Sequence, residues 1–136
     1  MGKPIEKFTS QERLDKSLKE WQARLFLNDW TISAKITKNL KHDSNHGENE
    51  FSFVGKSAVI RIQPYDAVVD NGWAQKQPQE LVLIHELLHC KMALVSKDNT
   101  IEGVWWYETQ HQLLEEMSKS LLMAKYGLSF EWFLME

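Results

Sequence analysis

His85 and His89 stand four residues apart, and Glu86 directly follows the first. On a helix, residues four apart share one face, so both imidazoles can reach a single ion. Glu86 then lies about 100° round from His85, beside the ion and not beneath it. From there its carboxylate can take a proton from a metal-activated water, because zinc lowers the pKa of water to roughly 7. The HExxH spacing points to metal-assisted hydrolysis with Glu86 as general base.

A catalytic zinc takes three protein ligands and keeps a fourth position open. A metzincin extension needs a glycine at position 92 and a histidine at position 95; the chain has Met92 and Val95. A gluzincin-type extension takes a glutamate from a later helix, where Glu108, His111, Glu115 and Glu116 occur. Taking Leu113, Leu114, Met117, Leu121 and Ala124 as the buried face, 100° steps put Glu116 on its border, over Ser120. Glu115 then points to solvent and His111 falls on the opposite border. Glu116 is the expected third ligand; Glu115 and His111 replace it if the helix phase differs. Tyr107, Tyr126 and His111 are candidates to polarise a scissile carbonyl. Cys90 is expected to be a small core residue, and His42 and His46 to be solvated loop side chains.

These residues must be held by a scaffold. Thr9 and Glu12 have capping-box spacing, and Leu14, Leu18, Trp21 and Leu25 follow at helical steps, predicting a helix over 10–26. From Trp30 the apolar period becomes two through Ile36, a half-buried strand. Phe51 and Phe53 suggest a second short strand, and Ser57 to Ile62 a third. The stretch from Gln63 to Pro78 reads as a loop. The helix over 79–94, with Leu81 to Cys90 apolar on nearly every side, must be central. After a polar break from Ser96 to Gly103, a last helix runs from about Trp105 to Tyr126. Its start, Trp105-Trp106-Tyr107, is expected to pack into the core, and Gly127 to stop the helix. A helix, three strands and two helices argue for an α+β fold.

Composition sets the outer limits. The 136 residues suit a single domain over 1–136. A formal charge of −3 lacks the basic footprint of a nucleic-acid binder. No apolar stretch is long enough for a membrane span and no secretory leader is visible, so a cytoplasmic protein is expected. One cysteine excludes an internal disulfide.

The chain resembles the short HELLH metallopeptidase-like proteins of phages and prophages. The shared features are Trp21 near the end of the first helix, Leu27-Asn28-Asp29-Trp30-Thr31-Ile32, Ile60-Arg61-Ile62-Gln63-Pro64, His85 to His89, and Glu115-Glu116. More distantly the layout is similar to SprT-like proteases and the ImmA/IrrE peptidase domain. The resemblance implies a minimal zincin-like fold in which His85, His89 and Glu116 bind one Zn2+ and Glu86 is the base. It also implies a peptide or protein substrate paired to an edge strand, for which Ser57 to Ile62 is the candidate. Many gluzincin-type helices carry Asp or Asn four residues after the ligand glutamate; this chain has Ser120 there. The alternative function is a non-catalytic phage regulatory or interaction protein that retains a structural metal site.

Overall fold

The computed structural model describes residues 5–40, 46–64, 78–96 and 103–134; within these, the side chains of 94–96 and 103–107 are not described. His42, most of the loop after Pro64 and the Trp105-Trp106-Tyr107 side chains therefore lie outside the described residues. The chain order is α1 (Gln11–Arg24), β1 (Thr31–Ile36), β2 (Gly47–Ser52), β3 (Ser57–Ile62), α2 (Gln79–Ser96), α3 (Gly103–Tyr126) and a 3-10 turn at Phe130–Leu134. This is the expected α+β layout.

Helix α1 is capped one residue later than the Thr9–Glu12 spacing suggests. Ser10 is extended, and its Oγ accepts the Arg13 N–H at 3.2 Å. The helix buries Leu14, Ser17, Leu18 and Trp21. It ends with Phe26 in the left-handed region at φ 58°. The Leu27 N–H donates to Gln22 O at 2.7 Å and the Phe26 N–H to Ala23 O at 3.2 Å, a Schellman closure with phenylalanine where glycine is usual.

The sheet order is β1-β3-β2, with β1 parallel and β2 antiparallel to β3. Strand β3 is therefore central. Both of its edges are already hydrogen-bonded, so Ser57 to Ile62 has no edge to offer a peptide. That expectation is corrected, and β2 and β1 are the outer strands. Strand β2 also starts earlier than Phe51, pairing Gly47 with Ile62 through Ser52 with Ser57. Ala58, Ile60 and Ile62 of β3 enter the core shared with α2.

Helix α2 is buried from Gln79 to Leu88. Its entry is locked by Glu80, which is fully buried. That carboxylate accepts from Trp21 Nε1 of α1 at 2.7 Å, from Lys125 Nζ at 2.6 Å and from the Tyr126 hydroxyl of α3. Three helices thus meet on one charged, fully satisfied group. Gly127, at φ 66°, ends α3, where the Leu128 N–H donates to Met123 O.

Candidate metal centre

The HExxH turn lies in the middle of α2, and α3 packs along it. His85 and His89 are one helical turn apart, and His111 of α3 faces them. The His85 ring centroid lies 4.9 Å from that of His89 and 4.7 Å from that of His111. One ligand atom from each of His85, His89 and His111 falls within 4.8 Å of the others. A tetrahedral ion with bonds of about 2.1 Å needs ligand nitrogens about 3.4 Å apart. The three rings need close by only a little over an ångström at most, and His111 is exposed and has room to turn. This cluster could hold a metal ion.

The burial of these groups favours the same use. His89 is pushed down to about 4 by burial, reinforced by His85 and His111. Burial also lowers His111, with His85 adding to the effect and Glu115 opposing it. Both rings are therefore neutral at pH 7 and offer lone pairs, the state a metal requires. Glu86 is buried, and burial pushes its carboxyl up to about 7; His85 opposes the rise, while Glu48 and Glu115 add to it. A carboxyl at that value can both accept and return a proton near neutral pH.

His85 Nδ1 is buried and has no hydrogen-bond partner among the described residues. It nevertheless lies 3.1 Å from Glu115 Oε1, close but out of line for a hydrogen bond. The other Glu115 oxygen is 3.8 Å from Lys119 Nζ. Glu115 stands four residues after His111, so the two occupy successive turns of α3 facing α2.

Glu116, the expected third ligand, is not among the gathered residues. It is exposed, and its carboxylate accepts from Gln112 Nε2 at 3.3 Å. The helix phase differs from the expectation because α3 does not bury its most apolar line. Gln110, Leu114, Ser118, Leu122 and Tyr126, spaced four apart, are inside. Leu113 is 46% exposed and Met117 39%. Relative to Leu114, Glu116 points about 160° away, whereas Glu115 and His111 lie at about 100° and 60°. Ser120 bonds only the Glu116 carbonyl, at 3.0 Å.

Of the carbonyl-polarising candidates, Tyr126 is committed to Glu80, and burial with that carboxylate pushes its hydroxyl up to about 12. Cys90 is buried, as expected, with its thiol raised to about 11 by burial, and it stands outside the histidine cluster. His46 is half-buried rather than solvated. Burial lowers its pKa, and the Glu115 carboxylate is close enough to oppose the shift. Asn49 of β2 donates to the Glu86 carbonyl at 2.9 Å. Asn49 was not marked by the sequence, and His46 was read there only as a solvated loop side chain. Gly47-Glu48-Asn49-Glu50 carries no apolar alternation, so the strand that places them is silent to a periodicity reading.

No protein-family model, curated protein or solved structure matches the chain. Among the described residues, no helix is long and apolar enough to cross a membrane.

Proposed function

We propose that this chain is a zinc-dependent peptidase, with His85, His89 and His111 as the metal ligands and Glu86 as general base. The observation that carries this is that one ligand atom from each of three imidazoles lies within 4.8 Å of the others around an HExxH turn. Three borderline nitrogen donors suit zinc and disfavour calcium or magnesium, which take oxygen. The likeness of the motif set to the short phage HELLH proteins supports the same choice.

Bound zinc would supply a Lewis acid that acidifies water and polarises a carbonyl. Glu86, on the turn between the two histidines, accepts the proton of the attacking water and returns it to the leaving amine. Glu115 lies 3.1 Å from His85 Nδ1 and would, once aligned with it, hold that ring's orientation, as the outer partner that ligand histidines commonly have. An extended peptide would pair with β2, the outer strand beside α2, and not with β3. A chain whose single cysteine is buried suits the reducing cytoplasm, where we place its work.

A structural metal site in a non-catalytic phage regulatory protein is the second reading. It would need a fourth ligand to close the site, and Glu115, 3.1 Å from His85 Nδ1 but outside the three-histidine group, would have to move in to supply it. The test is elemental analysis followed by peptide hydrolysis. About one zinc per chain, with hydrolysis that Glu86→Gln abolishes while keeping zinc, supports the peptidase. Zinc with four protein donors by X-ray absorption and no hydrolysis replaces it with the structural reading. A chain that cannot be loaded with zinc overturns both.

A further inference from the structure

Outside the histidine cluster, one side chain ties the sheet to the HExxH turn. Asn49 lies within β2, opposite Ile60. Its Nδ2 donates to the Glu86 backbone carbonyl at 2.9 Å and lies 3.5 Å from Cys90 Sγ. A helix-interior carbonyl already accepts the N–H four residues on, so α2 needs no second donor to remain a helix. A carbonyl can only accept, which fixes the amide with its NH2 toward Glu86. That orientation leaves Asn49 Oδ1 buried with no partner among the described residues, a cost that a residue kept only to fill space would not carry.

Two residues earlier the strand presses on the same helix. A Cβ at Gly47 would stand 2.5 Å from Val82 Cγ1 and 3.0 Å from the Arg61 carbonyl, so only glycine fits this approach. The two contacts run in step. Gly47 to Asn49 advances about 6.6 Å along a strand, and Val82 to Glu86 about 6 Å along a helix. Strand β2 is thus held against α2 at two matched points, the second at the backbone of Glu86.

We propose that Asn49 is a positioning residue that keeps β2 in register with the HExxH helix. It thereby sets where a peptide paired to the outer edge of β2 meets the Glu86 carboxyl. The proposal rests on the peptidase reading for its consequence. Asn49 need not touch the substrate; it acts through the strand and the helix it joins.

The experiment uses the full chain loaded with zinc, an internally quenched peptide, and the variants Asn49→Ala and Asn49→Asp; the latter keeps the side chain's shape and loses the donor. Misplacement by an ångström costs about 100-fold in rate, so kcat of the folded, zinc-loaded variants should fall by about that factor while KM stays within roughly threefold. A purely structural role would lower the folded fraction and leave kcat unchanged. Unchanged kcat, or a rise in KM alone, overturns the proposal. The second readout is the nuclear Overhauser contact between Gly47 and Val82, which reports the β2–α2 register directly and should weaken in both variants while α2 stays helical. If the wild type cleaves no peptide, the peptidase reading fails by itself. The Gly47–Val82 contact then decides the register role, and an unchanged contact there overturns it.

Discussion

His85 and Glu115 meet across the α2–α3 contact, with Nδ1 3.1 Å from Oε1, although no hydrogen bond is yet aligned between them. A slight turn of the ring would align it. Glu115 follows His111 by one turn, so in the proposed site α3 would present a donor for the ion and, four residues later, a carboxylate for the back of a ligand ring. The resemblance placed that ligand-and-support spacing at Glu116 and Ser120; in the proposed site it falls five residues earlier, at His111 and Glu115.

Removing the support should weaken the metal without abolishing its site. Outer partners of ligand histidines are worth about 10–100-fold in metal affinity. Glu115→Ala is expected to lose zinc affinity by that factor in competition with a chromophoric chelator. His111→Ala should fall further, because a ligand is gone. Glu116→Ala should bind like the wild type, since Glu116 is exposed and bonded only within α3. A larger loss at Glu116 than at Glu115 would refute this assignment of α3.

The parts legible in the sequence were those where one signal dominates. Two histidines and a glutamate at HExxH spacing, inside an apolar run, marked α2 and half of the site. The other half depended on the phase of α3, where the signal misleads. Burying Gln110 and Ser118 while exposing Leu113 and Met117 rotates the helix away from its apolar line, and only tertiary packing makes that choice. The first part of strand β2, before Phe51, was hidden for a related reason. Glu48 is buried through an ion pair with Arg61 at 2.8 Å, so a polar residue stands where periodicity looks for an apolar one.

The Glu80 network should dominate the stability of the helical layer. Glu80→Leu would leave the Trp21 N–H and the Tyr126 hydroxyl without their buried acceptor, and would remove one of the two carboxylates bonded to Lys125. Breaking a buried charged network from one side costs about 3–5 kcal/mol. Urea denaturation of the variant should show a midpoint lowered accordingly; a loss below about 1 kcal/mol would show that the network is dispensable.

Phe26 is expected to show the opposite behaviour. It is 85% exposed and holds the left-handed position that closes α1. A Cβ there costs about 1–2 kcal/mol, whereas the contact of Lys91 Nζ with its ring, at 5.9 Å, returns about 0.5 kcal/mol. Phe26→Gly should therefore raise stability by about 0.5 kcal/mol, after the greater freedom of glycine in the unfolded chain is counted. Thermal unfolding would show a small upward shift in Tm; a fall of several degrees would mean that the exposed ring contributes packing that its surroundings do not suggest.

The pH dependence of the metal-free chain contains two opposing slopes. Glu86 sits at about 7 instead of 4.5, because burial disfavours its charge. Between those values the folded state holds the extra proton, so stability falls as pH rises. His89 sits at about 4 instead of 6.5, also through burial, so there the unfolded state holds the extra proton and stability increases with pH. Each slope amounts to up to about 3 kcal/mol, and together they largely cancel in the wild type. Glu86→Gln should unmask the histidine slope, which the lowered His111 reinforces, giving an apoprotein that gains stability from about pH 4 to 6.5. His89→Asn should weaken that slope and leave Glu86 to oppose the remainder contributed by His111. Urea midpoints in chelator across this range would test both variants, and a flat profile for Glu86→Gln would show that His89 is not held neutral by its burial.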